Sequence, residues 1–187
     1  MIRQTIAAAV AATLISAPAF AQAPTPTPTP ATTLVIELKS GPVHVQLLPN
    51  LAPKHVARVQ QLAKEGFYNG IKFHRVLDGF MAQTGDPTGT GGGGSKYGNL
   101  PAEFTDYVYK RGTVGAARTS DPNSANSQFY ICFDDRGCRG LTGQYSVWGQ
   151  VISGMEHVDT IKRGEPGSGS VSQPDVMQKV YLLSDKK

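Results

Sequence analysis

A chain of 187 residues with 40% hydrophobic content is long enough for one well-buried domain and cramped for two. Its 21 glycines and 13 prolines fit a turn-rich globular protein better than a helical bundle. The formal charge of +4, with no basic block, argues against nucleic acid as a partner.

The first residues read differently from the rest. Arg3 supplies a positive start, residues 6–17 form a mostly apolar run, Pro18 closes it, and Ala19-Phe20-Ala21 offers small residues at the positions a signal peptidase reads. Residues 1–21 are therefore expected to be a signal peptide cut after Ala21. The run is shorter than the roughly 20 apolar residues of a span, so no stable membrane insertion is expected after cleavage. Gln22, not a cysteine, follows the cut, which argues against a lipid anchor. Residues 22–32 alternate proline with threonine and read as a polyproline II spacer. The folded domain is expected over 33–187.

Two β-prone runs, 33–38 and 43–48, flank Lys39-Ser40-Gly41-Pro42 and predict a hairpin with one solvated face, Val43, Val45 and Leu47 against His44 and Gln46. The period then becomes helical over 50–66: Asn50 is the expected cap, Pro53 sits in the first turn, Val56, Val59 and Ala63 share a face, and Gly66 ends it. His55 is expected to face solvent. Six further β-prone runs follow at 71–77, 80–84, 113–118, 127–133, 146–152 and 175–184, with a second helix over 154–162. Eight short strands with two helices suit a mainly β fold, a closed eight-stranded antiparallel barrel capped by the helices. A two-sheet sandwich is the structural alternative.

Gly89, Gly91 and Gly94 make a formal G-x-G-x-x-G, but no helix follows, so a dinucleotide site is excluded and a long flexible loop bordering a groove is expected. Cys132 and Cys138 form either a disulfide, which an oxidising compartment permits, or buried small hydrophobes. No histidine neighbours them, so they do not make a zinc site. Strand alternation sorts the candidate site residues: Arg75 and His74 point opposite ways, whereas Arg75, Met81, Gln83, Gln128 and Tyr130 can share one outer face, leaving Phe129 and Ile131 for the interior.

The block FHRVLDGFMAQTGD at 73–86, then SANSQFYICF at 124–133, Leu141-Thr142-Gly143-Gln144-Tyr145 and Val147-Trp148-Gly149, resemble in order the blocks of cyclophilins, the peptidyl-prolyl cis-trans isomerases. The resemblance spans residues 33–183 and implies that family's eight-stranded antiparallel barrel capped by two helices. It implies Arg75 as the catalytic arginine and a substrate-binding set of Phe80, Met81, Gln83, Gln128 and Leu141, with Arg118 and Thr119 where the family grips the peptide backbone. Tyr130 stands where many members carry phenylalanine, and Tyr145 where well-known eukaryotic members have histidine. Gly140, not tryptophan, precedes Leu141, which implies weak cyclosporin binding; the sole tryptophan, Trp148, sits in a core-like position.

The implied activity needs no cofactor and no metal. Its partners are proline-containing polypeptides, the signal implies a periplasmic location, and a monomer is expected. A client-binding module that grips proline segments without turnover is the alternative from another class.

Overall fold

All eight β-prone runs become strands: β1 (Thr33–Leu38), β2 (Gly41–Leu47), β3 (Arg75–Leu77), β4 (Met81–Thr84), β5 (Thr113–Ala116), β6 (Phe129–Cys132), β7 (Val147–Ser153) and β8 (Lys179–Leu182). The computed structural model describes residues 29–186, so the expected signal peptide and residues 22–28 of the expected spacer lie outside the described residues. Residues 30–32 of that spacer are not extended but form a single 3₁₀ turn, with the Thr29 N–H donating to Thr32 Oγ1 at 3.0 Å.

The strands form one antiparallel sheet in the order β3-β4-β6-β5-β7-β2-β1-β8. It curls into an arc but does not close, which corrects the expected closed barrel. Among the described residues, the gap between the edge strands β3 and β8 is crossed only by the isolated pairs Lys72↔Val176 and Arg75↔Ser170 and by scattered hydrogen bonds such as Phe73 N–H to the Asp175 carbonyl. The crossing segment contains Gly164, Pro166, Gly167, Gly169 and Pro174. Prolines lack the donor, and glycines lack the side-chain packing, that a continuous ladder requires.

The concave side of the arc is filled by apolar side chains. Val76, Ala82, Ile131 and Val114 lie opposite one another across β3, β4, β6 and β5, and Phe129 meets Trp148 edge to face at 5.2 Å. Trp148 is thus a core residue, as expected. The face of β2 expected to be solvated is partly covered: Gln46 is only 5% exposed, across the ladder from Gln150 and near residues 107–110.

Helix α1 (Pro53–Lys64) buries Val56, Val59, Leu62 and Ala63 and gives way to Gly66 at φ 68°, a left-handed backbone that glycine adopts without steric cost. Asn50 does not cap it. The residue before the helix is Ala52, and the Glu103 carboxylate, from a distant loop, accepts the N–H groups of Lys54 and His55 at 3.0 and 3.1 Å. A carboxylate there satisfies orphan donors and complements the helix dipole. His55 is consequently not solvent-facing: it is 3% exposed, with Nδ1 2.6 Å from Glu103 Oε2.

A four-residue helix, α2 (Asp135–Cys138), had no counterpart in the sequence reading; Asp134 caps it by accepting from Arg136 N–H at 2.8 Å. It runs into a 3₁₀ turn at Arg139–Leu141. The second expected helix shortens to α3 (Met155–Asp159). Cys132 and Cys138 are both buried and disulfide-bonded, with Cα atoms 6.1 Å apart. The bond ties α2, and the turn leading to Leu141, to strand β6.

Candidate active site

The convex face of the same four strands carries a second row. Arg75 on β3 lies opposite Gln83 on β4, Gln83 opposite Tyr130 on β6, and Tyr130 opposite Gly115 on β5. Directly opposed residues project to one face, so strand register alone brings these together. One step along, Leu77, Met81 and Cys132 make a parallel apolar row.

A chain of hydrogen bonds runs along the polar row. Arg75 Nη1 donates to Gln83 Oε1 at 3.3 Å, Gln83 Nε2 donates to Gln128 Oε1 at 2.9 Å, and Gln128 Nε2 donates to the carbonyls of Gly91 and Gly93, each at 2.8 Å. On its other side Arg75 Nε donates to the Ser168 carbonyl at 3.2 Å. The remaining Nη hydrogens of Arg75 have no partner among the described residues. Gly169, at φ 75°, leaves room for the aliphatic stem: a Cβ there would press on Arg75 Cγ and Leu77 Cγ.

Arg75 lines a cavity of about 190 Å³, shared with Phe80, Met81, Gln83, Ala117, Arg118, Tyr130, Leu141 and Tyr145. A second cavity of about 360 Å³ adjoins it, bounded by Gly91–Gly94, Ser95, Asn99, Thr119, Ser124, Asn126 and Gln128. Gln83, Ala117 and Arg118 line both cavities and form the wall they share. Arg118 stacks on Tyr145, its Cζ 4.4 Å from the ring centroid, and donates from Nε and Nη2 to the Gln144 carbonyl at 3.1 and 2.9 Å. Its planar fork thereby braces the rim of the smaller cavity.

Every residue singled out in the sequence reaches one of these cavities. Arg75, Phe80, Met81, Gln83, Arg118, Tyr130, Leu141 and Tyr145 meet at the smaller one; Thr119 and Gln128 reach only the larger. Thr119 is exposed, with its N–H and Oγ1 both donating to Ser124 Oγ, at 2.8 and 2.9 Å. Ala117 and the Ser168 carbonyl were not anticipated, since an alanine and a backbone oxygen carry no residue-type signal. His74 lines neither cavity, as alternation requires. Its ring lies against Gly91 with both nitrogens buried and unpartnered, and burial holds its pKa below the usual histidine value against the opposing pull of Asp86.

The glycine-rich loop is pinned, contrary to the flexible loop expected. Buried Asp86 accepts from Thr88 N–H at 2.7 Å, Thr88 Oγ1 at 2.8 Å, Thr90 N–H at 3.0 Å and Gly91 N–H at 2.6 Å. Burial opposes ionisation of this carboxyl, but the bonds from Thr88, Gly93 and Gly91 together outweigh it and hold the group at about 2. The phenols of Tyr130 and Tyr109 are pushed the other way, chiefly by burial, and stay neutral.

Residues 33–182 match the family model described as cyclophilin type peptidyl-prolyl cis-trans isomerase/CLD. A Brucella suis protein named "Probable peptidyl-prolyl cis-trans isomerase" is 50% identical over 167 residues, covering 83% of this chain and 84% of that protein. The crystal structure of a cyclophilin from Hirschia baltica is similar at a TM-score of 0.73 and 26% identity, over 85% of this chain and 76% of that one. A cyclophilin type isomerase from Cryptosporidium parvum, crystallised in the presence of the dipeptide Ala-Pro, gives a TM-score of 0.73 at 29% identity, over 80% and 98%.

Proposed function

The chain belongs to the cyclophilin-type peptidyl-prolyl cis-trans isomerases, and from that membership we propose how its own residues turn an X–Pro bond and on which substrates. The substrate is an extended, proline-containing polypeptide whose ring enters the 190 Å³ cavity while neighbouring residues lie along the larger one.

An X–Pro bond turns over a barrier of about 18–20 kcal/mol because the amide must lose its resonance. Unaided, this takes tens to hundreds of seconds, and reaching milliseconds needs roughly 10⁴–10⁵-fold, or about 5–7 kcal/mol. In the twisted state the prolyl nitrogen becomes pyramidal and gains a lone pair that the planar ground state does not offer. Arg75 donates to that nitrogen as a fixed cation and never as an acid. One charge-assisted bond is worth about 1.5–3 kcal/mol, so the rest comes from a dry pocket: Phe80, Met81, Tyr130 and Leu141 hold the ring while the acyl side rotates. Gln83 orients the guanidinium.

The observation that carries this reading is Arg75, its guanidinium held by Gln83 and the Ser168 carbonyl, among the residues that line the cavity. Arg75→Ala is expected to lower kcat/KM for a proline tetrapeptide by roughly 10–150-fold, the equivalent of that bond, while the protein still folds. Equal rates for the two proteins would remove Arg75 from the mechanism.

The clients are exported chains folding in the periplasm, met by a monomer that has lost its signal. The apolar run before Ala19-Phe20-Ala21 supports this, and no helix among the described residues is long and apolar enough to cross a membrane. Protein recovered from the periplasm should begin at Gln22; recovery of the intact chain from the cytoplasm would refute the location.

A further inference from the structure

Behind the smaller cavity lies a pair of buried hydroxyls that the mechanism does not use. Tyr109 is 1% exposed and Tyr130 4%, their rings are stacked with centroids 6.1 Å apart, and Tyr130 Oη donates to Tyr109 Oη at 3.0 Å. Gly115 makes this possible. It occupies the place opposite Tyr130 in the polar row, and a Cβ there would overlap both hydroxyls. Tyr109 also reaches the cavity rim twice: its N–H donates to Thr142 Oγ1 at 3.1 Å, and its hydroxyl points to the Tyr145 carbonyl at 3.5 Å. The Tyr145 ring in turn stands edge-on to Tyr130 at 5.8 Å.

We propose that Tyr109, which lines neither cavity, is a positioning residue for the isomerisation: its hydroxyl fixes the depth and tilt of the Tyr130 ring in the cavity floor and locks that floor to the rim at 141–145. The proposal rests on the reading of the smaller cavity as the proline site. Tyr109 is the acceptor that the Tyr130 hydroxyl uses, and a buried donor without an acceptor is strongly disfavoured. Deprived of it, the Tyr130 ring turns toward the cavity, where water or a substrate carbonyl can accept, and the slot for the proline ring narrows. If both hydroxyls are removed, two apolar rings remain and no buried hydroxyl is left unpaired, while the Tyr145 carbonyl gives up its 3.5 Å contact.

The test is Tyr109→Phe, Tyr130→Phe and the two combined, read by isomerisation of a proline tetrapeptide and by NMR titration with the dipeptide Ala-Pro. Tyr109→Phe should raise KM and the dipeptide Kd by about 3–10-fold with kcat changed less than about twofold, and the same substitution made in the Tyr130→Phe background should change either by less than about twofold. A merely structural role would lower the melting temperature without moving KM, by the same amount in both backgrounds. Either an unchanged KM in Tyr109→Phe or an equal effect of Tyr109→Phe in the two backgrounds overturns the proposal. The dipeptide titration separates this failure from that of the catalytic reading, because it reports binding even where Arg75 plays no part in rotation.

Discussion

Across β3, β4, β6 and β5 the two faces of one sheet are held by different physics. On the concave side Val76, Ala82, Ile131 and Val114 abut the core, and what matters there is filled volume. On the convex side Arg75 is bonded to Gln83 and Gln83 to Gln128, while Tyr130 is bonded to Tyr109 across the empty position at Gly115, and what matters is aim. Adjacent residues of one strand, Tyr130 and Ile131, therefore belong to different problems. A substitution on the concave side should change how much protein is folded. One on the convex side should change how fast each folded molecule works.

The largest effect that would sharpen this contrast is on the concave side. Ile131→Ala should cost about 2–5 kcal/mol of stability in urea denaturation, the lost transfer energy plus the cavity left behind. That is a large share of the roughly 5–15 kcal/mol a domain commands. If Ile131→Ala instead left stability intact but halted isomerisation, the division between faces would fail.

The next effect lies on the convex side. Gln128→Ala removes the link between Gln83 and the Gly91 and Gly93 carbonyls, and with it a bond worth about 0.5–1.5 kcal/mol. The expected loss in kcat/KM is roughly threefold to tenfold, with the urea midpoint nearly unchanged.

A third effect is a pH dependence that arises in neither row. The Asp86 carboxyl sits at about 2 in the folded protein against an ordinary 3.8, so the unfolded chain binds its proton first as pH falls. Its stabilisation is whole above pH 3.8 and is lost as the pH falls through about 2. His55 adds a second window: burial holds it below 6.5 against the opposing pull of Glu103, so stability should decline as pH falls below 6.5. Thermal melts from pH 8 to 2 check both, with Asp86→Asn and His55→Gln each flattening its own window.

The sequence displayed the strands well because β-propensity and alternation are local. Thr33–Leu38 is recovered to the residue, and Tyr130 and Ile131 fall on the faces alternation assigns. What it hid is non-local. His55 reads as solvent-facing on a helical wheel because its partner, Glu103, lies 48 residues away. The cap of α1 was hidden for the same reason. Helix α2 is too short to show a period, and only Asp134 marks its start. Closure of the sheet depends on residues 164–178, where glycines and prolines erase the alternation. In the site, the side chains were legible through register and block order, whereas the Ser168 carbonyl that steadies Arg75 was not.

The pairing of Leu34 with Leu182 carries a topological consequence. The described chain enters and leaves the domain at one corner, where the 3₁₀ turns at Pro30–Thr32 and Leu183–Asp185 lie together. A short bridge between those ends would make the backbone circular without disturbing a strand pairing, and a cut at an exposed loop tip such as Gly167 would then yield a circular permutant with the same sheet order. The order of synthesis and the architecture are thus separable in this domain.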